Sequence, residues 1–155
     1  MSQLDLRDNI IKNVRALVYR AEGGKKFFLL TKEPGGFFTV PGGCKDMDDE
    51  NLMATLKREM KEELGLEDHD YEIMETGIKK IYKNLYSNPA SDRFNKDTEI
   101  SLFVIKINNN ESIKAGCEID KAEWFEGEAA YNMLNSHHMK EMFQFGIKEL
   151  KNKEV

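Results

Sequence analysis

The sequence predicts an α+β fold in which a mixed β-sheet lies between helices. Segments with alternating apolar residues outnumber segments with helical periodicity, and turns that contain Gly or Pro separate them as in hairpins. Two segments of helical periodicity are long enough to cover the faces of a sheet. With 155 residues, 40% of them hydrophobic, the chain can bury one core. We therefore expect a single domain over residues 1–155.

Three strands are predicted before the first helix. Residues 13–20 predict the first strand, because Val14, Ala16 and Val18 alternate with the other side chains. A Gly-Gly turn leads into the return strand at residues 27–31. Residues 37–40 form a short strand that lies between two Pro-Gly-Gly turns.

The first helix is predicted over residues 48–64, where Leu and Met recur at helical spacing and form one apolar face. Asp48 or Asp49 could cap its N-terminus. Gly65 stands where the helix should end.

The second half of the chain predicts more strands and a long final helix. Residues 71–86 are typical of one or two strands, residues 87–98 form the longest loop, and residues 99–107 are the clearest strand. Residues 119–125 are another strand candidate. Residues 128–151 predict one long helix.

Composition and charge argue against several classes of protein. The formal net charge of −5 argues against a dedicated nucleic-acid binder. No apolar run approaches the roughly 20 residues that span a bilayer, and residues 1–13 are too polar for a secretory signal. Cys44 and Cys117 form no CxxC pair, so we expect two free thiols and a reducing, cytoplasmic location.

Negative charge is concentrated around the first helix. Residues 45–67 contain eight acids and four bases, which gives −4 of the net −5. On a helix, Glu59, Glu62 and Glu63 crowd one side because they are three or four positions apart. A solvated acidic face is one interpretation, and oxygen ligands for a hard divalent cation are the other.

The run from Arg58 to Leu66, Arg-Glu-Met-Lys-Glu-Glu-Leu-Gly-Leu, resembles the Nudix box. The box reads Gly, five residues, Glu, seven residues, Arg-Glu, an aliphatic residue, any residue, Glu-Glu, any residue, Gly and an aliphatic residue. From Glu50 onward this chain matches every specified position, and a Pro-Gly-Gly turn ending at Gly43 opens the box, which covers about residues 43–66. The order of elements also resembles the Nudix fold, an α/β/α sandwich.

One departure from the box lies in the loop before the helix. Six residues separate Gly43 from Glu50, where the pattern has five. Either the loop carries one inserted residue, which loops absorb at little cost, or Asp49 takes the usual Glu place.

The resemblance implies a hydrolase that cleaves a phosphoanhydride bond in a nucleoside diphosphate derivative with Mg²⁺, for which Mn²⁺ could substitute. By position in the box, Gly43, Glu59, Glu62 and Glu63 would hold the metal, Glu62 would also take part in catalysis, and Arg58 would hold the carboxylates in register. The resemblance does not distinguish nucleoside triphosphates from dinucleoside polyphosphates, ADP-ribose or nucleotide sugars.

A further catalytic acid is expected downstream, because some family members carry a Glu shortly before a Glu-Trp pair. Here Glu118 precedes Glu123 and Trp124 with comparable spacing, and it would activate water or bind another metal. Glu99 competes for that role.

Aromatic and basic residues near the box could contact the substrate. Phe37, Phe38, Tyr82 and Arg93 are the candidates, with Tyr86, Phe94, Lys32, Lys79 and Lys80 as further ones. Each could instead fill the core or lie on a solvated surface. The expected partner is a nucleotide-type small molecule, with no membrane and no nucleic acid, and a homodimer is compatible with the family.

A different class of function stays open beside the enzyme. Some Nudix-fold domains bind nucleotides or regulatory partners without hydrolysis, and those usually lose glutamates of the box. Glu59, Glu62 and Glu63 are all present here, which favours an enzyme.

Overall fold

The computed structural model describes residues 3–86, 88–108 and 121–153. Within these residues one mixed sheet has seven strands. The strands are β1 (Ile10–Glu22), β2 (Lys25–Lys32), β3 (Phe38–Thr39), β4 (Gly42–Cys44), β5 (Tyr71–Tyr82), β6 (Asp97–Ile107) and β7 (Lys121–Glu126). The helices of the described part are α1 (Leu52–Leu64), α2 (Gly127–Met133) and α3 (His137–Lys153), with short 3-10 turns at Arg7–Asn9 and Asp68–Asp70.

Strand β1 lies at the centre of the sheet. The strand order is β3-β2-β1-β6-β5, with β4 beside β1 and β7 beside β2. The pairing of β1 with β6 is parallel and the other pairings are antiparallel. Side chains alternate along β1, so that Val14 and Val18 enter one core and Leu17 and Tyr19 the other.

Helices cover both faces of the sheet. Helix α1 packs on one face through Leu56, Met60 and Leu64. The α2–α3 pair packs on the opposite face, where Ala130 and Phe143 are buried. The predicted α+β class, with a mixed sheet between helices in an α/β/α sandwich, is confirmed.

The predicted start of α1 is wrong and its predicted end is confirmed. The helix begins at Leu52 because the Asn51 side chain accepts a hydrogen bond from the Ala54 N–H at 2.8 Å and caps it. Gly65 ends the helix in the left-handed region, at φ 71°, and its N–H donates to the Lys61 carbonyl. Asp49, an expected cap, is therefore available for another contact.

The predicted single helix over residues 128–151 is two helices. The chain leaves α2 at Leu134, whose backbone is extended. The Ser136 hydroxyl accepts from the Met139 N–H at 3.3 Å, and the Asn135 side chain accepts from the Phe38 N–H at 3.0 Å. These side-chain contacts satisfy backbone groups at the break, and the Asn135 contact joins the break to β3.

Other boundaries shift by a few residues. The segment predicted as one or two strands at residues 71–86 is the single strand β5, which ends at Tyr82. The predicted strand at residues 99–107 begins earlier, at Asp97. Positions 119 and 120 of the strand candidate at residues 119–125 lie outside the described residues. Within the described part of the chain, none of the helices has the length and apolar character needed to cross a membrane.

Candidate active site

A polar cleft of about 480 Å³ lies where α1 meets β1 and β4. It brings carboxylates and arginines together around two glycines. The lining residues are Asn13, Arg15, Glu33, Gly42, Gly43, Cys44, Asp46, Arg58, Glu59, Glu62, Glu63, Tyr86 and Arg93.

Helix α1 presents three carboxylates to this cleft, as its spacing predicted. Glu59 and Glu63 are buried, at 5% and 4% exposure. The Glu62 side chain lies at the rim and is 43% exposed. One helix turn therefore supplies two enclosed carboxylates and a third that water reaches.

Arg58 joins the loop before the helix to these carboxylates. Its Nη1 donates to Glu59 Oε1 at 3.0 Å and to Glu62 Oε2 at 3.2 Å. Its Nη2 donates to the Cys44 carbonyl at 3.0 Å, and its Nε and Nη2 form a bidentate pair with Asp49 at 2.9 and 2.8 Å. Arg58 thus lies where the sequence predicts an orienting residue, although its role stays a prediction.

Asp49, rather than Glu50, pairs with Arg58. Asp49 is buried, and its carboxylate also accepts from the Thr55 hydroxyl at 2.9 Å. Burial raises the pKa of Asp49, but hydrogen bonds from Arg58, the Asp46 N–H and Thr55 outweigh it and lower the pKa to about 2. Glu50 is exposed and lines a different cleft.

Glu63 is a strongly perturbed carboxylate of the cleft. The Gly42 N–H donates to it, while its Oε2 is buried and has no hydrogen-bond partner among the described residues. Burial first, and then the negative charge of Glu59, raise the pKa of Glu63 to about 8, while Arg15 opposes the shift. A buried oxygen of this kind needs a proton or a cation.

Gly43 allows the backbone to approach these carboxylates. A Cβ at this position would lie 2.2 Å from Glu59 Oε1, so a side chain here would displace the carboxylate. The buried oxygens of Glu59 and Glu63 beside the Gly43 backbone are hard ligands and fit a divalent cation such as Mg²⁺. Within the described residues no three acidic, His or Cys side chains already form a closed ligand set. Water would complete the shell, as Mg²⁺ usually requires.

The structure brings one of the four expected substrate contacts into the cleft. Arg93 lines it, and its guanidinium lies 5.3 Å from the centroid of the Tyr86 ring, which also lines the cleft. Phe37 is 46% exposed and is not among the lining residues.

Two of the other expected contacts are corrected. Phe38 is buried in the core and packs edge-on against Phe125. Tyr82 lies outside the cleft, because its hydroxyl donates to Glu141 of α3 and its ring packs on the Met142 cluster. We assign Phe38 and Tyr82 to packing.

The two candidates for an extra catalytic acid have different outcomes. Glu118 lies outside the described residues, so its role stays a prediction. Glu99 lies in β6 beside Lys12 of β1 and lines a second cleft together with Glu50 and Lys79. The structure does not bring Glu99 to the carboxylates of α1.

Sequence reasoning missed three charged residues of the cleft, namely Arg15, Glu33 and Asp46. Arg15 Nε donates to Asn13 Oδ1 at 2.9 Å and its Nη1 donates to the Val40 carbonyl at 2.8 Å. A cation within the buried strand β1 was a usable signal, because charges rarely occupy such a position without a partner. Glu33 precedes a Pro-Gly-Gly turn and carries no comparable signal.

Comparisons with known proteins agree with this architecture. The NUDIX domain family matches residues 11–145. No curated protein matches the sequence. The structure of a C. elegans Ap4A hydrolase in a binary complex superposes with a TM-score of 0.75 and 22% identity, over 92% of this chain and 98% of that chain.

Two further solved structures share the fold. The E. coli dihydroneopterin triphosphate pyrophosphohydrolase has a TM-score of 0.72 and 14% identity, over 96% of this chain and 99% of that one. The NUDIX domain of Shewanella oneidensis NrtR, complexed with ADP ribose, has a TM-score of 0.65 and 15% identity, over 100% and 90%. The enzyme class expected from the sequence, a hydrolase of phosphoanhydride bonds, is confirmed at the level of the family. The match over residues 11–145 shows that this chain belongs to the NUDIX domain family.

Proposed function

We propose that this chain is a Mg²⁺-dependent pyrophosphohydrolase acting on a nucleoside di- or triphosphate derivative, with Mn²⁺ as a substitute ion. The observation that carries the proposal is the buried Oε2 of Glu63, which has no hydrogen-bond partner among the described residues and lines the same cleft as Glu59 and Gly43. Such an oxygen is costly to bury unless a proton or a cation occupies the site.

The residues of the cleft have different roles in the proposed reaction. Glu59, Glu63 and the Gly43 carbonyl would hold the ion, and Glu62 at the rim would accept a proton from the attacking water. Arg58 keeps Glu59 and Glu62 in register through its hydrogen bonds. When bound, the divalent cation offsets the repulsion between carboxylates and polyphosphate and promotes attack on phosphorus. Glu118 is retained as an expected second base.

The opposite side of the cleft suits an anionic, aromatic-bearing substrate. Arg15 and Arg93 supply positive charge for phosphate oxygens beyond the metal. Tyr86 beneath Arg93 offers a ring at the same edge. These contacts fit a nucleoside triphosphate, a dinucleoside polyphosphate such as Ap4A, ADP-ribose or a nucleotide sugar.

A non-catalytic nucleotide-binding or regulatory module is the second candidate. Arg58 already pairs with Glu59 and Glu62, and no closed metal-ligand set exists among the described residues. The NUDIX domain of NrtR, solved with ADP ribose, shows that a domain of this fold binds such a ligand.

A substrate panel distinguishes the two functions. Product release is measured for all four substrate classes with Mg²⁺, for the parent and for Glu63→Gln and Glu62→Gln. We expect turnover of one class, reduced about 100-fold or more in both variants, because Glu63 would bind the metal and Glu62 would accept the proton.

The matched control is Glu67→Gln, which removes an exposed carboxylate paired with Lys61 just beyond α1. It should keep the parent rate, since exposed pairs contribute little. Nucleotide binding without turnover across the panel would favour the regulatory module and contradict the enzyme.

A further inference from the structure

The first described residues run along the loop that opens the box. We name residues 3–7 the N-terminal strap. The Asp5 N–H donates to the Lys45 carbonyl at 3.0 Å, and the Met47 N–H donates to the Gln3 carbonyl at 2.6 Å. Leu4 forms an antiparallel bridge with Asp46 between these two bonds. The strap therefore pairs with the loop as a short added strand.

A buried ion pair fixes this pairing. Lys45 Nζ lies 2.8 Å from Asp5 Oδ2, and the two side chains are only 7% and 3% exposed. Lys45 Nζ also donates to the Asp46 carbonyl at 3.3 Å, and Arg7 forms a bidentate pair with Asp5 at 2.8 and 3.0 Å. Buried charges persist only where such partners satisfy them, so the pair defines one position for Lys45.

The loop that the strap holds is the one that leads from Gly43 to α1. It supplies three groups to Arg58, namely the Cys44 carbonyl at 3.0 Å, Asp46 at 3.5 Å and Asp49 at 2.8 Å. Arg58 in turn holds Glu59 and Glu62. A continuous set of polar contacts therefore runs from Asp5 to the carboxylates of the cleft.

We propose that Asp5 and Lys45 are positioning residues for hydrolysis, which fasten the six-residue loop and thereby place Arg58 against Glu59 and Glu62. The inference rests on the proposed function for its catalytic meaning. The placement of Arg58 is a structural claim that can be measured without turnover.

The test uses Lys45→Met, together with the double variant Asp5→Leu/Lys45→Met. Removing one partner of a buried pair leaves an uncompensated charge, whereas replacing both partners with apolar residues often restores stability. The double variant therefore separates placement of the loop from overall stability. Lys57→Gln is the control, because Lys57 lies on α1 next to Arg58 and its ion pair with Asp68 is exposed.

Two readouts are taken at a temperature where circular dichroism shows each variant to be folded. The first is the NMR resonance of the Arg58 Nε–H, which reports its hydrogen bond to Asp49. The second is the split between kcat and KM on the substrate found by the panel. We expect both strap variants to shift the Arg58 resonance and to lower kcat about 10- to 100-fold with KM little changed. Lys57→Gln should match the parent.

A folded Lys45→Met or double variant that keeps the parent kcat and the parent Arg58 resonance would overturn the inference. If the parent turns over no substrate, the proposed function fails. The Arg58 resonance still decides whether the strap places this side chain.

Discussion

At the scale of single residues, Glu63 combines a functional requirement with a cost in stability. Its carboxylate is buried beside Glu59, which raises its pKa to about 8. Without a cation, the folded chain keeps a proton on Glu63 that the unfolded chain, with a pKa near 4.5, has already lost. The folded state therefore binds more protons between these values, so the stability of the metal-free chain falls as pH rises from about 4.5 to about 8.

Replacing this carboxyl should stabilise the metal-free chain. We expect Glu63→Gln to raise the free energy of unfolding by about 1–3 kcal/mol at pH 8 in the presence of a chelator, since one pKa unit is about 1.4 kcal/mol. At pH 4.5 the gain should vanish. Denaturant titrations at the two pH values measure the free energy of unfolding, with Glu62→Gln at the exposed rim as the control. Parallel pH profiles for the parent and Glu63→Gln would contradict the shifted pKa.

At the scale of elements, the loop between β4 and α1 decides which acid faces Arg58. Asn51 caps the helix, so Asp49 turns inward to Arg58 and Thr55 while Glu50 stays exposed. The box spacing in the sequence favoured Glu50. Five residues separate Gly43 from Asp49, so Asp49 stands where the box, counted from Gly43, has its acid.

The two neighbouring acids should therefore respond differently to substitution. Asp49→Asn removes one partner of a buried, bidentate pair with Arg58, so we expect a loss of about 1–3 kcal/mol in the free energy of unfolding and a lower kcat. Glu50→Gln, one residue away and exposed, should leave both close to the parent. Thermal unfolding and initial rates are measured for both variants. A larger effect at Glu50 than at Asp49 would show that the spacing of the box, rather than this geometry, assigns the role.

The break between α2 and α3 shows that a tertiary contact can override helical periodicity in the sequence. The apolar positions of residues 128–151 fit one helix, in which Ala130, Leu134, Phe143 and Leu150 are buried and Ile147 is partly buried. The break depends on the contact of Asn135 with β3, which is distant in sequence. Periodicity predicts which side chains face the core, but it does not predict such a contact.

At the scale of the whole molecule, the features predicted from sequence are those that depend on near neighbours. Gly65 ends α1, and the alternation along β1 places side chains into two cores, because both follow from backbone geometry over a few residues. Whether an aromatic side chain faces the cleft depends on strand register and on loop paths. For that reason Phe38 and Tyr82 proved to be packing residues, while Arg15 and Glu33 were missed. The single domain over residues 1–155 stays a prediction.

The proposed hydrolysis depends on a cation site formed by α1 and the Gly43 backbone. The measurement that tests it most directly is a calorimetric titration of Mg²⁺ into the parent, Gly43→Ala and Gly127→Ala. A Cβ at residue 43 would lie 2.2 Å from Glu59 Oε1, whereas a Cβ at residue 127 would only touch Phe28 at 3.6 Å. We expect the parent and Gly127→Ala to bind Mg²⁺ equally, and Gly43→Ala to fold normally but bind at least about tenfold more weakly. Absence of Mg²⁺ binding in the parent, or equal affinity in Gly43→Ala, would contradict the account.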